Sequence, residues 1–142
     1  MQQLQQRNKY LETTIQTASP AQLLIMLNDA AIRFCRQGIA AIGERNFDEA
    51  NRNLQKVQNI VSEWMITIDR SSPLADNLLS LYEYFNNRLA EANMKKAVEP
   101  AEEVLGYLIE LKETWLQAAK QSNGQAGQAN GSTVKQTHST VV

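Results

Sequence analysis

Apolar residues recur at alternating three- and four-residue intervals in four long stretches separated by short turn signals, which is the period of amphipathic α-helices. The first stretch opens at Ser19-Pro20-Ala21-Gln22. Ser19 suits the N-cap, Pro20 the first helical position, and Gln22 completes a capping box. This helix is expected to run to about Glu44 with Leu23, Leu27, Ala30, Phe34, Gly38 and Ala41 as its inner stripe. Asn46 and Glu49 repeat the cap logic for a second helix carried by Phe47, Ala50, Leu54, Val57, Val61, Trp64 and Ile68. After the Asp69–Pro73 turn, Ser72-Pro73 is expected to start a third, with Leu74, Leu78, Leu81, Phe85, Leu89 and Ala92 inward. Pro100, placed at the first helical position, with Glu102 and Glu103 in the first turn, marks a fourth over Val104, Leu108, Leu111, Trp115 and Ala118.

The ends differ. Residues 1–18 are polar but carry Leu4, Leu11, Ile15 and Ala18 at helical spacing, so they read as a short N-terminal cap segment that can dock on something. From residue 122 to Val142 the chain turns to Gly, Gln, Ser, Asn and Thr, too little to bury to offset the cost of ordering it, and a disordered tail is expected. The predicted fold is therefore all-α: an antiparallel up-and-down four-helix bundle over residues 19–121 with the extra N-terminal element.

Composition narrows the function more than the fold. The chain has 142 residues, 43% hydrophobic and 20% charged, enough for one core. Fourteen Lys and Arg stand against fifteen Asp and Glu, with no basic stripe, so nucleic acid is not an expected partner. No apolar run suits a secretory signal or a bilayer span, and a cytoplasmic protein without membrane insertion is expected. The single His138 lies in the tail, removing any histidine-based metal or nucleophile site held by the fold. Cys35 reads as a small core residue, Glu102 and Glu103 point about 100° apart on their helix, and Gly124, Gly127 and Gly131 all sit in the tail. No catalytic residue, metal or cofactor is expected. The chain reads as a binding protein.

Its helices carry more apolar surface than a simple bundle requires. On the first helix Leu24, Ala31, Cys35 and Ile42 flank the stripe, and the heptad trio Ile25, Ile32 and Ile39 widens it to an arc of roughly 200°. The fourth widens through Leu105, Ile109 and Leu116 on one side and Tyr107 on the other; Leu79, Tyr84 and Ile66 also fall outside their stripes. Three explanations stand together at this point: a helix buried on two sides, a homodimer face in the free protein, or an apolar groove for a partner's amphipathic helix. Asn51, Asn53, Asn77, Asn86 and Asn87 are also more numerous in helices than propensity favours, and a minority of them could bond a partner's backbone.

One ordered set of residues goes beyond helical periodicity. It runs from Tyr10 and Ile15 through Thr17-Ala18-Ser19-Pro20, Leu23 and Met26-Leu27. It continues with Ala50-Asn51 and Lys56 to Val61, then Asn77-Leu78, Leu81-Tyr82-Glu83-Tyr84, Arg88-Leu89 and Glu91-Ala92-Asn93. Glu103-Val104, Leu108, Leu111 and Trp115 close it. In order and spacing these residues resemble the FliS family of flagellar export chaperones, cytoplasmic proteins that bind flagellin. Arg7, Asn28 and Asp29 depart from the pattern. The resemblance implies an antiparallel bundle that wraps the C-terminal segment of flagellin over its apolar grooves, blocks polymerisation, and hands the complex to the cytoplasmic domain of the export gate. It also implies that the N-terminal segment covers a groove when no client is bound and helps dock at the gate, a role that falls on Tyr10 and Ile15. With Ile60 and Tyr82 from the matched motifs, the candidate partner-binding residues are Tyr10, Ile15, Ile25, Ile32, Ile39, Ile60, Leu79, Tyr82, Tyr84, Tyr107 and Ile109.

Overall fold

The computed structural model describes Gln6, Lys9, Glu12, Thr13 and residues 19–128, with 122–128 described by their backbone alone. Four helices follow one another: α1 Pro20–Gly43, α2 Phe47–Thr67, α3 Ala75–Lys95 and α4 Val98–Gln128. The expected N-terminal stripe of Leu4, Leu11, Ile15 and Ala18, and residues 129–142, lie outside the described residues.

The helix starts follow local chemistry. Ser19 Oγ accepts from the Gln22 amide at 3.1 Å while Gln22 Oε1 accepts from the Ser19 amide at 3.0 Å, a complete capping box with Pro20 at the first position. Asn46 Oδ1 accepts from the Glu49 amide at 3.3 Å, and Asp48 and Glu49 place negative charge at the positive end of α2. Both expected caps are therefore formed.

Two starts differ from expectation. Ser72 Oγ accepts from the Leu74 amide and Ser72 O from the Ala75 amide, so Ser72-Pro73 belongs to a turn and α3 begins at Ala75. Helix α4 begins at Val98, which puts Pro100 at the third position rather than the first; the missing amide costs nothing there because the first turn's N–H groups have no helical partner. Helix α4 also continues past Gln121 to Gln128, through Gly124 and Gly127 assigned to the tail by composition. Extending an existing helix needs no new nucleus, and Ala and Gln are among the better helix formers.

Arg45 and Lys96 close α1 and α3 in the left-handed conformation, with φ of 60° and 55°. After α1 the Asn46 amide reaches Ala41 O and the Arg45 amide Ile42 O; after α3 the Ala97 amide reaches Ala92 O. These are the helix-ending bonds that glycine ordinarily serves at less strain.

The helices close a ring in which α1 packs against α2 and α4, and α3 against α2 and α4. Leu54, Val57 and Val61 of α2, Tyr82, Phe85 and Leu89 of α3, and Val104 and Leu108 of α4 fill the interior. On α1 the buried stripe is Asn28, Ala31, Ile32, Cys35, Gly38, Ala41 and Ile42, rotated from the leucine-rich stripe expected; Leu23, Leu27 and Phe34 are half-buried. Small side chains face the neighbouring helices because close approach of two backbones leaves room only for them, and Gly38 sits directly against Leu54. Asn28 Nδ2 donates to Leu108 O at 2.8 Å and the Cys35 thiol to Ala101 O at 3.4 Å. Seven residues separate each pair of partners, in opposite directions, which fixes an antiparallel α1–α4 register.

Candidate docking surface

The surplus apolar positions of α1 and α4 meet along one seam. By helical spacing Ile25, Asp29, Ile32 and Ile39 fall in one row of α1, and Leu105, Ile109, Lys112 and Leu116 in one row of α4. Lys112 Nζ pairs with Asp29 Oδ1 at 2.6 Å across the middle. Ile109 and Leu116 are 37% and 40% exposed, and Ile25, Ile39 and Leu105 are half-buried. Ile32 is a correction: it is buried in the core at 7% exposure, because the α1 stripe is rotated toward it.

A second seam joins α3 and α4. Tyr84 donates its hydroxyl to Glu103 at 2.9 Å to both carboxylate oxygens, and Arg88 Nε donates to the same carboxylate at 2.7 Å. Arg88 Nη1 also reaches Glu91, which accepts from Lys95. Hydrogen bonds from Tyr84 and then Arg88 hold the Glu103 carboxyl below its ordinary range, and the same contact with Glu103 raises the Tyr84 phenol. Tyr107 stacks at 5.7 Å on Phe85 and is 37% exposed beside this network. The seam thus presents two tyrosine faces over a fixed set of charges.

The remaining candidates separate cleanly. Tyr82 is a correction: at 2% exposure it lies between Trp64 and Phe85, at 5.4 and 6.2 Å, and burial pushes its phenol up to about 12. Ile60 and Leu79 are half-buried and packed on the core. Tyr10 and Ile15 lie outside the described residues. Cys35 is buried, with its thiol pushed up to about 12 by desolvation, the small core residue expected. Among the described residues no group of three or more His, Cys, Asp or Glu side chains is placed to hold a metal, and no helix is long and apolar enough to cross a membrane.

Two features escaped the sequence reading. Asn28 is wholly buried, with Oδ1 unbonded while Nδ2 holds Leu108 O. Once the α1 stripe is centred on Ala31 and Cys35, an asparagine in its middle is visible as an anomaly. Met94, 76% exposed at the end of α3, gave no such signal because its neighbours come from other helices.

The family described as flagellar protein FliS matches residues 1–122. The chain belongs to the FliS family. Among its relatives, the flagellar secretion chaperone FliS of Bacillus subtilis is 33% identical over 109 residues, spanning 77% of this chain and 82% of its own. The flagellar secretion chaperone FliS of Salmonella typhimurium is 32% identical over 126 residues, spanning 81% and 87%. Flagellar secretion chaperone FliSB of Pseudomonas aeruginosa is 30% identical over 117 residues, 81% of this chain and 91% of its own. This FliS-family chain is accordingly a flagellar export chaperone in class, and the matched range contains both seams and every candidate residue.

Proposed function

We propose that the chain binds the C-terminal segment of flagellin in the cytoplasm, keeps that segment from polymerising, and delivers it to the cytoplasmic domain of the flagellar export gate. The observation that carries this reading is the pairing of FliS membership with the α1–α4 seam, where Ile109 and Leu116 stay exposed beside half-buried Ile25 and Ile39. A client helix laid along that seam contributes side chains at three- and four-residue spacing to these rows. The Asp29–Lys112 pair gives it a fixed polar point midway. Tyr84 and Tyr107 extend the apolar surface around α4. Tyr10 and Ile15 are assigned the covering and gate-docking role that the family resemblance implies.

Calorimetric titration with a flagellin C-terminal peptide tests the reading. Binding at micromolar concentration or tighter, with a negative heat-capacity change from apolar burial, is the expected result. No heat at about 10 μM peptide overturns it. The same exposed rows also suit a homodimer of the free protein, which light scattering separates from a monomer with an open seam.

A further inference from the structure

The end of the bundle where α1 turns into α2 and α3 gives way to α4 holds an open cavity of about 430 Å³. Ile42, Phe47, Asn51, Asn93, Met94 and Lys96 line it, with the Asp48 carboxylate on one wall. The volume falls in the range of roughly 300–1,000 Å³ typical of ligand pockets. It is separate from both seams.

Three observations converge on it. First, Arg45 and Lys96 are the non-glycine residues with positive φ among the described residues, and both send their charge to one ring: the Arg45 guanidinium lies 5.7 Å and the Lys96 ammonium 5.2 Å from the Phe47 centroid. Neither forms an ion pair among the described residues, although Asp48 is close by, whereas Arg52, Arg88, Lys95 and Lys112 all do. A glycine would hold either backbone with less strain, so the side chains are what the strained positions add.

Second, Asn93 Nδ2 donates to Asn51 Oδ1 across α2 and α3. That bond leaves Asn51 with free amide hydrogens and Asn93 with a free carbonyl oxygen, the donor and acceptor that the C=O and N–H of one extended residue need. Among the helical asparagines, Asn53 instead bonds Glu49 and Asn86 bonds Ser62, so each of those is engaged within the fold. Third, the apolar floor of Ile42 and Phe47 is bordered by Met94, whose flexible thioether chain stands 76% exposed and can fold over a guest side chain.

We propose that this cavity docks an extended, acidic stretch of a partner polypeptide. Asn51 and Asn93 bond the C=O and N–H of one of its extended residues, an apolar side chain enters over Phe47 beneath Met94, and a neighbouring carboxylate sits against Arg45 and Lys96. The two unpaired cations select the carboxylate, and the amide pair selects backbone over a free anion.

The test uses the full chain, isotope-labelled for NMR, titrated with the acetylated and amidated tetrapeptide Ala-Leu-Asp-Ala and its neutral counterpart Ala-Leu-Asn-Ala. The acidic peptide is expected to move the Asn51 and Asn93 side-chain amide and Met94 methyl signals at millimolar concentration. The neutral peptide should bind roughly five-fold more weakly, the upper range for one exposed charge contact. Joint replacement Asn51→Ala and Asn93→Ala should abolish the Met94 methyl shift, the readout that this variant retains. Joint replacement Arg45→Gly and Lys96→Gly should raise the melting temperature, by relieving the backbone, and erase the preference for the acidic peptide. Absence of shifts at those groups up to about 10 mM overturns the proposal. Equal affinity for the two peptides, or retained preference in the double glycine variant, overturns it as well. Binding of flagellin in the seams is read separately, by calorimetry, and either result can fail without the other.

Discussion

Gly38 of α1 presses against Leu54 of α2 so closely that a Cβ on it would lie 2.8 Å from Leu54 Cδ2 and 3.1 Å from Cγ. Leu54 is fully buried, so it has little room to withdraw. Gly38→Ala gains about 1 kcal/mol of helix propensity but incurs an overpacking cost of about 1–3 kcal/mol, for a net loss of about 1 kcal/mol. Gly106 of α4 has nothing within 4 Å of the same added carbon, and Gly106→Ala should stabilise by about 0.5–1 kcal/mol. Urea midpoints of the two variants should therefore move in opposite directions, and a Gly38→Ala midpoint at or above that of the parent would show that Leu54 can yield.

Alkaline stability should bear the mark of Cys35. Its thiol rises from 9.0 to about 12 in the folded chain because burial disfavours the thiolate. A folded value above the unfolded one means the contribution is fully present below about pH 9 and is lost as pH climbs toward 12, since only the unfolded chain ionises in that window. Tyr82, raised from 10.0 to about 12, adds to the loss from about pH 10 upward. Cys35→Ala should therefore flatten the fall of stability between pH 9 and 10 in particular. The native thiol should also resist Ellman's reagent at pH 8 until denaturant is added; rapid labelling of the native chain would contradict its burial.

On the acid side the Tyr84–Glu103–Arg88 network sets the expectation. Glu103 titrates below its ordinary 4.5, chiefly through the Tyr84 hydroxyl and then Arg88. A lowered folded value contributes stability above pH 4.5 that disappears as pH falls through the folded value. The stability gap between the parent and Glu103→Gln should close as pH drops below about 4.5, and should shrink in about 1 M salt because the network is solvent-exposed. A gap that persists at pH 2 would mean the carboxylate's charge is not what matters.

Client binding and stability should separate on the α1–α4 seam. Ile109 and Leu116 are 37% and 40% exposed, so Ile109→Asp with Leu116→Asp should leave the chain folded at a cost of about 2–3 kcal/mol in unfolding free energy. The same pair should weaken flagellin-peptide binding at least about ten-fold, the effect of losing two apolar contacts to a desolvated partner. Unchanged affinity in calorimetry would place the client elsewhere on the bundle.

The sequence disclosed most where the physics is local. Ser19 with Gln22 and Asn46 with Glu49 are caps that a few neighbouring residues decide, and both form as read. Flank positions such as Ile109, Tyr107 and Tyr84 were legible because they fall outside any stripe their helix could bury, and they are exposed. Burial that depends on another helix was not. Ile32 and Tyr82 stand among the docking candidates by spacing and motif, yet neighbouring helices cover them. On α1 the strong hydrophobicity of Leu23, Leu27 and Phe34 draws the expected stripe away from Ala31 and Cys35, which win the interior by being small. The Phe47–Met94 cavity joins three helix ends and leaves no trace in any one helix's periodicity.

The Asn28–Leu108 contact decides more than a few tenths of an ångström. Aliphatic rows on α1 and α4 would accept a pairing slipped by one helical turn almost as readily, because one isoleucine or leucine replaces another at nearly the same depth. A slip would carry the Asn28 amide off Leu108 O, putting at stake the one hydrogen bond of a buried side chain whose Oδ1 already has no partner, about 1–3 kcal/mol. That bond, with the Cys35–Ala101 contact and the Asp29–Lys112 pair, favours one register and so one spacing of the seam offered to a client.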